Sequence, residues 1–402
     1  QNAVILKAKD DLEASQGVVI QTRAVALPHL KAAGQYQDEE KSLVQTFPGI
    51  SDQPHQNWNA GIQLVQDIYA GGKMVAALRA ASATKKQALA QYQTTLSDTL
   101  LLVRVAYYDV LLASQQIVVN EASVKLLQKE LDDQQRRFDA GTVPHFNVLR
   151  AEVAVANAKP ALIHARSQYR IAKNVLVNLL GYNLPREVLE DIPMTLTDNF
   201  DMTPWNLALP DAIQQALERR TELQDLRQQI KLQNLNVVSA KSGYKPTVAA
   251  FAGYNWVNNA FSTDLSDELD GWNVGGQVSW DIFDGALTAG KVKQAKALYH
   301  KSETELTDRS RQIELDVRTA YSDFIEAQEV LDSQSKVQEQ AEESLREANA
   351  RFNAGTGTQL DVLDAETSLT QARTTLVQAQ HDYATARARL ERAIGTEFAP
   401  AK

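Results

Sequence analysis

The chain says nearly the same thing twice, and this restricts its fold more than any other feature. RFDAGTVPHFNVLRAE from Arg137 returns as RFNAGTGTQLDVLDAE from Arg351, an offset of 214 residues (351 less 137). WNAGIQLVQDIYAG from Trp58 returns as WNVGGQVSWDIFDG from Trp272, VRVAYYD from Val103 as VRTAYSD from Val317, and Gly181 as Gly395. Solenoid repeats have periods of roughly 20–50 residues. A period this long marks a duplicated half-molecule. Repeat one covers residues 1–182 and repeat two residues 211–395, with a linking segment at 183–210 and a tail at 396–402. One body with internal pseudo-symmetry is expected.

The 402 residues carry a net charge of −9, with Ala, Leu, Gln, Glu and Val abundant. That is a long-helix composition. The negative balance and the lack of a basic stripe argue against nucleic acid as a partner. There is no cysteine, and the six histidines show no ligand spacing, so neither metal nor cofactor is expected. No apolar run reaches the roughly 18 residues of a spanning helix, but barrel strands give a far weaker hydropathy signal. Aligning Pro28 with Pro246 sets Gln1 opposite Arg219 and leaves Leu209–Glu218 without a counterpart. A signal peptide and a short leader ahead of Gln1 are therefore expected.

Each half reads as helix, strand, loop, strand, very long helix, tight turn, medium helix. The first helix is expected from about residue 3 to 26, ending before Pro28, because proline forces its predecessor out of the helical region. Its partner in repeat two is expected as one helix from Asp211 to Gly243. Strands are expected at about 28–38, 57–69, 246–257 and 271–283. Trp58, Ala60, Ile62 and Leu64 alternate with Asn59, Gly61, Gln63 and Val65. Trp272, Val274, Gly276, Val278, Trp280 and Ile282 alternate with Asn273, Gly275, Gln277, Ser279 and Asp281. Period-two runs of about ten residues suit a tilted strand crossing a bilayer. Trp58, Trp256, Trp272 and Trp280 lie in these segments, where interfacial aromatics would sit. An ordinary sheet with one buried face explains the alternation equally well. Residues 38–56 and 259–271 read as polar, acidic loops.

The very long helices are expected at 72–140 and 286–354. At about 1.5 Å per residue each is roughly 100 Å long. Leu89, Tyr92, Leu96, Leu100, Val103, Tyr107, Val110, Ala113 and Ile117 recur at three and four, which reads as one coiled-coil seam. Gly141 and Gly355 turn the chain, and helices of 144–180 and 358–394 follow. Four strands cannot close a membrane barrel, which starts at about eight. If they span a membrane, the chain must oligomerise, and a helical tube around a lumen favours three copies.

The two halves, the WDIFDG strand-to-helix turn, the RFNAGT tip and DVLDAETSL together resemble the TolC family of outer-membrane efflux channels. The resemblance covers essentially the whole chain. It implies an α+β chain, mostly long antiparallel coiled coil, whose homotrimer builds a twelve-stranded barrel and a periplasmic tunnel. The location implied is the outer membrane of a Gram-negative bacterium. The function implied is a passive channel of a tripartite efflux or type I secretion system. Its partners would be outer-membrane lipid, a periplasmic adaptor (membrane fusion protein) and an inner-membrane transporter; drug, metal and protein cargo are not separated.

The family's constriction carries an aspartate pair, and the matching residues are Asp361 and Asp364. Their spacing sets both on one helical face. Six such carboxylates around one axis would raise one another's pKa and favour cations. The competing local reading is that aspartates simply suit the first turn of a helix. Repeat one has Asn147 and Arg150 at these places. The family locks its closed end with a tyrosine and an arginine of repeat two against an aspartate of repeat one; the matching residues are Phe352, Gly357 and Asn147. These side chains cannot form that lock, so closure rests on other contacts or opening is easier. The resemblance also places adaptor docking at the hairpin tips: Ala140, Gly141, Thr142 and Val143, with Ala354, Gly355 and Thr356. A soluble helical scaffold without membrane contact is the alternative function. No nucleophile-base set, phosphate loop or other catalytic constellation argues for an enzyme.

Overall fold

The computed structural model describes residues 2–40, 42, 55–182, 192–194, 196–197, 199–200, 202–203, 205–259, 262 and 264–396. The expected loop at 38–56 thus falls largely outside the described residues, the linker at 183–210 in part, and the tail after 396 entirely. In chain order the elements are α1 (Ala3–Ala24), β1 (His29–Asp38), β2 (Gln56–Ala70), α2 (Lys73–Asp139), α3 (His145–Leu180), α4 (Leu209–Arg219), α5 (Thr221–Lys241), β3 (Thr247–Asn258), β4 (Glu268–Ser279), α6 (Leu287–Asn353) and α7 (Gln359–Ile394). They divide between two compact units. One comprises residues 1–9, 91–223 and 309–402; the other comprises 10–90 and 224–308.

The second unit holds an antiparallel sheet of order β1-β2-β3-β4. Register decides its character. Leu30, Leu64, Ala252 and Val274 stand in one row across the strands, and Ala32, Ile62, Tyr254 and Trp272 in the next. The alternate rows run Lys31, Gln63, Gly253, Asn273 and Ala33, Gly61, Asn255, Gly271. Successive side chains point to opposite faces. One face is therefore apolar across these middle rows, with Asp270 and Glu268 towards one end, and the other is mostly small and polar, with Val65, Phe251, Val257 and Leu269 as its larger apolar members. The apolar face is uncovered in the single chain, where Leu30 is 71% exposed, Trp272 76% and Val274 68%. β1 and β4 are the outer strands, so among the described residues each has one backbone edge without a neighbouring strand.

Strand β4 occupies Glu268–Ser279 rather than the expected 271–283. Its last pair is Ser279 with Thr247, where β3 begins just after Pro246. Beyond that point a proline offers no N–H for a ladder. Trp280 instead donates its indole N–H to the Tyr244 carbonyl at 3.2 Å. At the other end Glu268, Leu269 and Asp270 join the strand opposite Asn258, Val257 and Trp256.

The first unit is helical. The single seam expected on α2 is two seams. Val103, Ala106, Tyr107 and Val110 pack with Leu176 and Tyr169 of α3. Tyr108 and Leu111 pack with Ala384 and Ala388 of α7. A helix flanked on two sides buries more of its circumference than one stripe of threes and fours. Leu89 of the expected row is 46% exposed. The described parts of the linker lie on these helices: Lys173 donates to the Ile192 carbonyl at 2.9 Å, and Tyr383 to that of Thr203 at 3.1 Å.

The helix expected over Asp211–Gly243 is broken into α4 and α5 at Arg220, whose φ of −56° and ψ of 124° leave the helical region. The reason is tertiary. Gly395 ends α7 in the left-handed conformation, and the Arg220 guanidinium donates to the carbonyls of Arg392 and Ala393, at 3.3 Å each. The last carbonyls of a helix have no partner within it, and a cation there also suits the helix dipole. Repeat one repeats the device with another residue. Asn2, opposite Arg220 in the alignment, donates its side-chain N–H to the Leu179 carbonyl near the end of α3. Its Oδ1 accepts the Val4 N–H at 2.8 Å, which starts α1.

Candidate pore constriction at the helix tips

Two tight turns, α2 to α3 and α6 to α7, carry every residue that the sequence singled out. At each turn a glycine sits where the chain must take positive φ, Gly141 and Gly355 both at 75°. That conformation favours glycine. Thr142 N–H returns to the Arg137 carbonyl at 2.9 Å, and Thr356 N–H to that of Arg351 at 3.0 Å. These bonds satisfy carbonyls that the helix ends would leave open. Ala140, Gly141, Thr142, Ala354, Gly355 and Thr356 are all exposed, and Val143 is half-buried. Gly357 is constrained differently: a Cβ there would lie 3.1 Å from the Arg351 Cβ and from the Phe352 nitrogen.

The two turns touch. The Arg137 guanidinium carbon lies 4.7 Å from the centre of the Phe352 ring, and its Nη2 donates to Asn353 Oδ1 at 3.1 Å. Gln359, buried at the start of α7, donates its amide N–H to the Asn147 carbonyl at 3.1 Å. Phe352 and Asn147, which cannot form the family's lock, thus serve other bonds between the repeats, Asn147 through its backbone. The pairing is not reciprocal. Arg351 is bonded to Glu347, Phe138 stands 5.1 Å from the His145 ring, and Arg150 lies 5.5 Å from the Phe146 ring. Sequence reasoning gave no role to Arg137 or Gln359; their signal was that Arg137 opens RFDAGT and Gln359 stands just ahead of DVLDAE.

Asp361 and Asp364 are both exposed, on the side of α7 opposite the buried Val362, Ala365 and Leu369. Burying such apolar side chains contributes about 1.5–3 kcal/mol for each large one, and it fixes which face is left for the aspartates. Asp361 has a local task as well. Its Oδ2 accepts from the Thr358 N–H at 2.7 Å and hydroxyl at 2.8 Å, while Thr358 Oγ1 accepts the Asp361 N–H at 3.3 Å. This reciprocal capping box holds Thr358 and Asp361 in fixed positions. The Thr358 bonds keep the Asp361 carboxyl below its usual pKa in the single chain. The upward shift expected of six gathered carboxylates concerns an assembly of three. Arg150 is half-buried and faces Phe146, so repeat one presents no carboxylate there.

The family model described as "Outer membrane efflux protein" matches residues 1–182 and 212–396, both halves almost entire.

The chain belongs to the outer membrane efflux protein family.

It is 27% identical over 346 residues to the outer membrane protein TolC of Vibrio cholerae, spanning 84% of this chain and 76% of that one. It is 25% identical to TolC of Escherichia coli, spanning 98% and 80%. The alkaline protease secretion protein AprF of Pseudomonas aeruginosa is 27% identical over 72% of this chain and 60% of its own. Among solved structures, the outer membrane protein VceC of Vibrio cholerae superposes with a TM-score of 0.78, covering 98% of this chain and 93% of that one at 20% identity. The Campylobacter jejuni CmeC outer membrane channel superposes at 0.81, covering 100% and 84% at 15% identity. The fold is therefore that of the TolC-like channels, mostly helical with a small antiparallel sheet. This efflux protein is an outer-membrane channel of the tripartite efflux or type I secretion kind, resident in the Gram-negative outer membrane. Its family is a channel family rather than an enzyme family.

Proposed function

We propose that three copies of this chain close a twelve-stranded barrel in the outer membrane and gather their hairpin tips into a passive, cation-favouring constriction. The observation that carries this reading is the sheet. Four strands with an apolar band across one face and two outer edges meet the requirements of lipid once the edges pair with other copies. The opposite face, mostly small and polar, then lines the lumen. Asp361 and Asp364 supply the constriction, since α7 turns both away from its own core. Charged rings of this kind select by sign. The tips from Ala140 to Val143 and from Ala354 to Thr356, exposed but for the half-buried Val143, dock a periplasmic adaptor, which links the channel to an inner-membrane transporter.

Single-channel recording in planar bilayers tests this directly, alongside the mass of the detergent-solubilised particle. The expected result is a trimer with cation-selective conductance, and a higher conductance with weaker selectivity in the Asp361→Ala, Asp364→Ala double variant. A monomer that stays in the aqueous phase without conductance, or unchanged selectivity in the double variant, overturns the reading.

A further inference from the structure

Glu366 belongs to the same motif as the aspartates but lies on the other side of α7, 4% exposed. Its neighbours Val362, Ala365 and Leu369 pack with Leu345 and Phe352 of α6 and with Leu126 of α2. One turn beyond Leu126, α2 buries a second carboxylate, Glu130. Gln134 donates its amide N–H to Glu130 Oε1 at 2.7 Å, and Gln359 gives its own to Asn147. That leaves Glu366 Oε2, Gln134 Oε1 and Gln359 Oε1 buried with no hydrogen-bond partner. All three are acceptors, and what the buried Glu366 oxygen lacks is a donor. A carboxyl proton is a donor, and it also removes one of two buried like charges.

No cation supplies the need instead. The side of α6 packed here is Ala341, Leu345, Ala348 and Phe352. Its charged groups are engaged elsewhere, Glu342 with Arg373, Glu343 with Arg346 and Glu347 with Arg351. On α2, Arg137 lies over Phe352, Arg136 pairs with Asp133, and Lys125 and Lys129 are exposed. In the first two turns of α3, Val148 and Ala151 are the buried residues and Arg150 lies over Phe146. On α7 itself Asp361 is bonded to Thr358, and Asp364 is exposed.

We propose that Glu366 keeps a proton beside the buried Glu130, that this proton seats the start of α7 against α2, and that its loss loosens the tip. Burial, with the nearby Glu130 charge, pushes the Glu366 carboxyl up to about 7. The arrangement exists in one repeat alone: the counterparts are the exposed Glu152 and, for Glu130, Ser344. The sign follows from linkage. The seated state binds the proton more tightly than an opened state with an ordinary carboxyl near 4.5. Opening therefore becomes easier as pH rises from about 4.5 to about 7 and levels off above. The consequence for conduction rests on Asp361 and Asp364 forming the constriction; the proton itself does not.

Hydrogen exchange of the α7 segment 359–370 in the intact protein, corrected for intrinsic rates, reads the proton directly. Protection should fall by up to about tenfold per pH unit between pH 5 and pH 7. Glu366→Gln should flatten that slope, as should Glu130→Gln if the first variant folds poorly. Flat protection in the unaltered protein, or an equal slope in both variants, overturns the proposal. Planar-bilayer conductance should rise over the same pH range and lose that dependence in Glu366→Gln. If the exchange slope is present but conductance ignores it, the proton stands and the constriction reading of α7 fails.

Discussion

The Arg137 guanidinium of repeat one lies 4.7 Å from the centre of the Phe352 ring of repeat two. Arg137 and Phe352 stand one residue apart in the duplicated RF motif, so the contact joins the first letter of one copy to the second letter of the other. Partly exposed cation–π pairs are worth about 0.5–1 kcal/mol. A double-mutant cycle of Arg137→Ala and Phe352→Ala, read by thermal or denaturant unfolding, should return a coupling of about that size. In bilayers both single variants should raise the open time of the channel, because each removes a bond between the two turns.

The capping box makes Thr358 as informative as Asp361. Thr358→Ala should destabilise the start of α7 by about 1 kcal/mol, typical of a lost N-cap, and raise exchange at 359–362. The Asp361 carboxyl is held low, so its contribution is present above the ordinary aspartate pKa and is lost as pH falls through the depressed value. Helix-start protection in the unaltered protein should therefore persist at pH 4 and fade below the ordinary value of 3.8. Asp361→Asn should remove that acid dependence.

Arg220 breaks one helix and closes another. Buried to 6% exposure, it bonds Glu222 at 2.8 Å and two α7 carbonyls. Arg220→Ala should cost about 1.5–3 kcal/mol in unfolding free energy, since the two α7 carbonyls lose a charged donor while Glu222 keeps Arg392 at 2.9 Å. Arg220→Lys should recover little, because an ammonium cannot span the fork of contacts that a guanidinium does.

His381 lies between Asp109 and Asp382, 2.9 Å from each. Burial opposes its protonation, but the bonds to the two aspartates outweigh that and raise its pKa above 6.5. Both ring nitrogens must donate, so the charged ring is the form that fits. For a histidine raised on folding, the stabilisation is complete below the unfolded pKa and is lost as pH rises through the folded one. Melting temperature should fall above pH 6.5, and His381→Gln should flatten that limb of the profile.

If the tips dock an adaptor, Ala140→Arg and Ala354→Arg should abolish export while leaving the trimer intact by native mass. Export at the unaltered level in cells carrying both changes would refute docking at these turns.

Much of this molecule was legible in order of residues alone. The duplication, the long helices, the alternating strands and the family follow from periodicity and motif, since a helix face and a strand face leave 3.6-fold and two-fold marks that need no partner to be seen. The position of Asp361 and Asp364 on one exposed face follows from their spacing and the apolar residues between them. What periodicity could not deliver was anything settled by residues far apart in the chain. Arg220 ends a helix because its guanidinium bonds the Arg392 and Ala393 carbonyls at the end of α7. Strand β4 stops at Ser279 because Pro246 lies opposite its extension. Glu366 reads like Glu152 in the repeat, yet one is buried beside a second carboxylate and the other is exposed. Local pattern sets which element forms. Which carbonyl, charge or ring meets it is decided by packing between distant segments, because desolvation and hydrogen-bond satisfaction depend on neighbours that no window of sequence contains.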